Sequence, residues 1–176
     1  MSENLRARAV HSRTMNSASD PAILHTIASY ESGIATLRSA AAGLTHAQLN
    51  TRIAPGTWSI QEIIVHILDS DLIATHRMRR IAAEDLPLLV SYDENLFIAK
   101  LPSDRIDLAT ALDLFDANRR FTAQWLRTLT PDAFAREGIH TQRGKVTLKN
   151  LLEIYTKHVD HHQSFVQGKR AAMGVR

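Results

Sequence analysis

The chain has 176 residues, 44% of them hydrophobic and 22% charged, with a formal net charge of +3. That length holds one ordinary domain with a real core, and the composition is that of a soluble globular protein. The absence of cysteine excludes a disulfide scaffold, a cysteine-based zinc site and a cysteine nucleophile. The charge is mild and no basic run is interleaved with aromatics, so no nucleic-acid partner is expected.

No apolar run approaches the ~20 residues of a membrane span. No membrane partner is therefore expected, and a cysteine-free chain of this kind fits the cytoplasm. Residues 1–18 carry arginines and serines but no apolar segment of the secretory type, and read as a flexible leader. Met15 is a second candidate start.

Asp20-Pro21 opens the first helix, a capping residue followed by proline at the first helical position. Ile23, Leu24, Ile27, Tyr30, Ile34 and Leu37 recur at helical spacing as far as Gly43. A connector with a short helical turn and a Pro55-Gly56 break follows. Ser59 with Glu62 forms a capping box ahead of "IIVHIL", and that second helix continues to about Ala83. Residues 84–105 form a long linker with one short helix around Glu94 to Lys100. The third helix runs from Ile106 to about Leu129, and a connector with Gly138 and Gly144 leaves a small hairpin open. Thr147 caps a fourth helix from Leu148 to about Gln167, ended by Gly168. Four long amphipathic helices without convincing strand alternation predict an all-α fold, a four-helix bundle with long interhelical linkers. The domain spans 19–170, with a tail over 171–176. Helix two is apolar over a wide arc, which places it at the centre of the bundle or in a homodimer interface.

"YTKHVDHHQSFV" (155–166) concentrates three histidines. At 100° per residue from Leu148, His162 falls near about −40° and His158 near about −80°, within the apolar stripe, while His161 lies at its edge near about −140°. His158 and His162 thus form an i, i+4 pair on the inner face, the arrangement in which one helix chelates one ion with two imidazoles. His161 faces solvent. Unpartnered buried imidazoles would each cost on the order of 1–3 kcal/mol, which one shared metal relieves. His66, inside "IIVHIL", is the candidate third ligand; a histidine bonded to a backbone carbonyl is the alternative. His11, His25, His46, His76 and His140 fit less well by position. Three neutral nitrogens suit one divalent ion, Zn²⁺ or Ni²⁺ first, with Co²⁺ or Fe²⁺ as alternatives, and leave a coordination position open.

"PGTWSIQEIIVHILDSD" (55–71), "SYDENLFIAKL" (91–101) and the HxxxH of "HVDHH" (158–162) resemble the DinB/YfiT-like superfamily of metal-binding four-helix bundles. The resemblance covers roughly residues 20 to 168. It implies that the metal-binding histidines are His66, His158 and His162. It also places the family's acidic residue, a little over a turn beyond the first histidine, at Asp71, with a possible role behind the ligands or toward bound water. Several members resemble thiol transferases that use a metal to activate bacillithiol or mycothiol, and others are named metal-dependent hydrolases. The resemblance therefore implies transfer of a low-molecular-weight thiol to a small electrophile. The alternatives are hydrolysis by metal-bound hydroxide, or a non-enzymatic, metal-stabilised, stress-related binding or dimerisation protein. Arg119 and Arg120 on the third helix are candidates for an anionic cosubstrate, or simply a solvated face.

Overall fold

The computed structural model describes residues 20–175; the leader, with His11 and Met15, lies outside the described residues. The elements in order are α1 (Pro21–Ser32), α2 (Ile34–Ala41), α3 (His46–Asn50), α4 (Ile60–Ala83), β1 (Leu88–Leu89) and α5 (Glu94–Lys100). There follow a 3-10 turn (Ser103–Arg105), α6 (Leu108–Leu126), a second 3-10 turn (Pro131–Ala135), β2 (Glu137–His140), β3 (Gly144–Thr147) and α7 (Leu148–Ala172). The α1/α2 unit, α4, α6 and α7 form the four-helix bundle, with α4 packed against α6 and α7. No described helix is long and apolar enough to cross a membrane.

The expected caps hold the helix starts. Asp20 accepts from Ala22 N, and reciprocal capping boxes close α4 at Ser59/Glu62 and α7 at Thr147/Asn150. Each box satisfies backbone N–H groups that the first helical turn leaves without intrahelical partners. The wide apolar arc of α4 is used within the chain: Ile60, Ile63, Ile64, Ile67, Met78 and Ile81 are all buried. Helix α4 is the bundle's central element.

Three expectations change. The first helix is broken at Gly33, because Arg119 on α6 donates Nη1–H to the Tyr30 carbonyl at 2.7 Å. In an unbroken helix that carbonyl would accept from residue 34. A Cβ at Gly33 would lie 2.3 Å from Arg119 Nη1, and the guanidinium is pinned by its other partners. Gly33→Ala should therefore destabilise by about 2 kcal/mol or more, read as a lower urea midpoint at unchanged slope. A wild-type midpoint would refute the packing argument.

The second change is a small sheet in the order β1-β2-β3. Strands β2 and β3 pair antiparallel, with Gly138 opposite Val146 and His140 opposite Gly144, so the hairpin left open above is formed. Gly144 sits at φ +71°, a left-handed turn position suited to glycine. Strand β1 adds in parallel, Leu88 beside Ile139 and Leu89 beside His140. Third, α7 passes Gly168 and ends at Ala172. Arg170 donates to the Ala40 and Ala42 carbonyls, and Met173 packs on the core, so the last turn is docked instead of frayed.

Two apolar clusters fill the bundle. One joins Tyr30, Met78, Ile81, Leu126 and Leu152; the other joins Leu37, Ile64, Ile67, Phe115 and Val159. Between them in sequence on α4 and α6 lie Asp71 and Arg119, each with a side chain 1% exposed and forming an ion pair at 2.9 Å.

Candidate metal centre

His66 sits on the buried face of α4, 7% exposed, and His158 and His162 are half-buried on α7. One ring nitrogen from each lies within 4.8 Å of the other two. The ring centroids are 5.2 Å (66 to 158), 4.9 Å (66 to 162) and 4.6 Å (158 to 162) apart. His161, adjacent in sequence, is exposed, as the helical wheel requires. Trp58, at the entrance to α4, leans on His66 at 4.9 Å and stacks on His162 at 6.4 Å, covering one flank of the trio. Burial lowers the affinity of all three rings for a proton. His66 and His162 are each pushed down to about 4, and His158, which also feels the other histidines and Arg119, to about 3. At neutral pH all three are uncharged, the state in which imidazole donates a lone pair.

The hydrogen bonds test whether these are ordinary core histidines. Such a ring bonds a backbone carbonyl or a carboxylate. Here, among the described residues, His158 Nε2 and His162 Nε2 face only one another, at 3.0 Å, and His162 Nδ1 is buried without a partner. His66 has ring contacts alone. One buried and two half-buried polar rings left without outside partners cost free energy that a shared cation would offset. The donor set fits a divalent metal with a coordination position to spare.

The trio opens onto a cleft of about 410 Å³ between α4, α7, the segment after β1 and the β2–β3 turn. The small sheet shapes its far wall. Thr141 N bonds the Leu89 carbonyl and Thr141 Oγ1 accepts from Ser91 N, so the chain carrying Tyr92 is held over the cleft. The Tyr92 and Ser70 hydroxyls bond each other, and burial keeps the Tyr92 phenol above its usual pKa, hence protonated at neutral pH. Arg77, on the same α4 stripe as His66 and Ser70, donates to the Tyr155 hydroxyl at 2.8 Å.

The model of the DinB superfamily matches residues 29–166. The chain belongs to the DinB superfamily. Its relatives include "Putative metal-dependent hydrolase YfiT" of Bacillus subtilis (strain 168), 30% identical over 80% of this chain and 79% of that protein. A Bacillus licheniformis relative, also named as a putative metal-dependent hydrolase, is 29% identical over 78% and 79%. The solved YfiT structure from Bacillus subtilis, described as having an unusual four-helix bundle topology, aligns with a TM-score of 0.84 at 27% identity, over 92% and 93% of the two chains. A mycothiol-dependent maleylpyruvate isomerase shares the fold at TM-score 0.63 and 15% identity, over 81% of this chain and 59% of that one.

On this DinB scaffold the three histidines expected from the sequence converge, but Asp71 does not join them. Its Oδ1 accepts from Arg119 Nε and Nη2, and its Oδ2 accepts from Tyr30 Oη and Asn118 Nδ2. Both oxygens are committed to a buried network and bond none of the three rings. Arg119 is likewise no anion binder: it is 1% exposed, sandwiched between the Tyr30 and Phe115 rings. Arg120 is exposed beside Asp116, the solvated-face alternative. His25, His46 and His76 are exposed, and His140 lines the cleft outside the trio. Arg77, Ser70 and Tyr92 went unnoticed in the sequence. Ser70 and Arg77 follow His66 by four and eleven residues, about +40° and +20° on the wheel, and that shared stripe was the available signal.

Proposed function

We propose that this protein is a metal-dependent enzyme that transfers a low-molecular-weight thiol to a small electrophile. The observation carrying the proposal is that His66, His158 and His162 bond no acceptor outside the trio among the described residues and converge at the wall of a cleft. These three residues would hold the ion, with Zn²⁺ or Ni²⁺ the first expectation and Co²⁺ or Fe²⁺ compatible with the same nitrogen donors. When bound, such an ion supplies Lewis acidity that lowers the pKa of a thiol or water at its open position.

Thiol chemistry is favoured by the fate of Asp71. Its carboxylate is spent on Arg119, Tyr30 and Asn118, so it is not free to take a proton from water beside the triad. A thiol needs less help, since its unperturbed pKa is already about 8.5. The chain has no cysteine, so the thiol comes from a cosubstrate. Trp58 shields one side of the site from water, and the linked Tyr92 and Ser70 hydroxyls offer a proton donor to the reacting molecule.

The second reading, hydrolysis, follows the names of the Bacillus relatives. The two separate cleanly. Metal-loaded protein is given an electrophile such as monobromobimane, with and without added thiol. Thiol transfer predicts product formation above the uncatalysed reaction of the thiol with the electrophile only when both metal and thiol are present. Turnover of ester or amide substrates that needs the metal but no thiol would replace it with hydrolysis.

A further inference from the structure

Two arginines are buried among the described residues, and they are treated differently. Arg119 is neutralised by Asp71. Arg77 is 6% exposed, yet none of the described Asp or Glu residues forms an ion pair with it. Its two acceptors are the Tyr155 hydroxyl at 2.8 Å and the Val90 carbonyl at 2.6 Å. Both are uncharged, and they occupy two of the five N–H groups of the guanidinium. A cation held this far from solvent without an anion is costly unless something else supplies the negative charge.

Its position says where that charge would come from. Arg77 lines the same cleft as the histidine triad. Arg143, on the β2–β3 turn, lines it as well, while the cleft's carboxylate, Glu94, is close enough to act on His162. His66 and Arg77 lie eleven residues apart on one face of α4, an axial rise of about 16 Å, but the longer arginine side chain reaches Tyr155, whose ring is 6.3 Å from the His158 ring, leaving roughly 10 Å between the triad and the guanidinium. Tyr155 and Val90 hold the fork in place, which reduces the entropy lost when it binds a planar anion.

We propose that Arg77, assisted by Arg143, binds the carboxylate of an elongated reactant whose other end lies at the histidine triad. The reactant class is thus a small carboxylic acid with roughly 10 Å between carboxylate and reacting atom, matching the span above. This deepens the thiol-transfer reading, and only its distance requirement rests on that reading. The carboxylate belongs either to the thiol or to the electrophile.

The test has two arms. In the first, metal-free protein is titrated with hexanoate and with hexanol, and the Arg77 Nε–Hε resonance is followed by NMR. Hexanoate should move it and hexanol should not. In the second, cobalt-loaded protein is titrated with ω-mercapto acids of increasing length and with their methyl esters, and the visible spectrum reports thiol binding. Acids long enough to reach Arg77 should bind about tenfold more tightly than their esters, the range expected of a charge-assisted hydrogen bond. Arg77→Gln should bring acid binding down to the level of ester binding, and Arg77→Lys should retain part of the preference. Ester binding also reports that each variant is folded. A preference confined to long mercapto acids assigns the carboxylate to the thiol. Hexanoate binding alongside a methyl-ester thiol assigns it to the second reactant. Thiol binding with no acid preference and no NMR shift overturns the Arg77 subsite and leaves the metal reading intact. A hexanoate shift abolished by Arg77→Gln, without any thiol binding to cobalt, does the reverse.

Discussion

Asp71→Asn should cost about 3–5 kcal/mol of folding free energy, a large share of the about 5–15 kcal/mol available to a domain. The substitution keeps the shape of the side chain and removes only its charge, leaving the Arg119 guanidinium uncompensated where its side chain is 1% exposed. Arg119 cannot escape to solvent. It donates to Asp71 twice, to the Tyr30 carbonyl at 2.7 Å and to the Tyr155 carbonyl at 2.8 Å, between the rings of Tyr30 and Phe115. Tyr30 Oη depends on the same carboxylate: burial and the charge of Asp71 raise its pKa, so it stays protonated and donates. The damage should reach the candidate metal centre, because Arg119 grips α7 at Tyr155, one turn before His158 and Val159. Urea denaturation measures the loss. Adding Arg119→Met to Asp71→Asn should cost less than the two single losses summed, since no buried charge then lacks its partner. A loss below about 1 kcal/mol for Asp71→Asn, an ordinary value for any substitution, would mean that water or a local shift solvates Arg119.

What could be read in the sequence was whatever depends on near neighbours. The Asp20, Ser59 and Thr147 caps, the span of α4, and the inward turn of His158 and His162 relative to His161 all follow from spacing within a turn or two, and the structure keeps each of them. The break at Gly33 was hidden because its cause lies on α6, where Arg119 takes a carbonyl that the local pattern assigns to a continuous helix. Strand β1 has two residues, and its partner β2 lies about fifty residues on, so no alternation was long enough to mark it. The pairing of Asp71 with Arg119 was hidden for one reason. Each was assessed as a single charge, although Phe115, Arg119, Thr122 and Leu126 trace one buried stripe of α6. A charge on such a stripe calls for an opposite charge on a facing stripe.

Replacing any one of His66, His158 or His162 by alanine should weaken binding of the divalent ion by more than about 100-fold, since losing a direct ligand exceeds the 10–100-fold typical of residues that only support ligands. His161→Ala should leave the affinity unchanged, because that ring is exposed and outside the cluster. Titration with Zn²⁺ or Ni²⁺ against a competing chelator, with wild type expected to take up about one ion per chain, gives the comparison. The same variants also make an unusual prediction about stability. In metal-free protein the three rings have no acceptor outside the trio among the described residues, so His66→Leu removes a desolvated polar group from an apolar wall of α4 and should hold or raise the melting temperature. With free metal at a hundred times its dissociation constant, wild type should gain about 2.7 kcal/mol and His66→Leu nothing. Acid should act late. The rings hold protons only below pKa values of about 4, about 3 and about 4, so proton competition in wild type should begin below about pH 5, under the unperturbed histidine value of about 6.5. A core of ordinary structural histidines would behave in the opposite way. His66→Leu would then destabilise the metal-free protein, and added metal would shift wild type and variant alike.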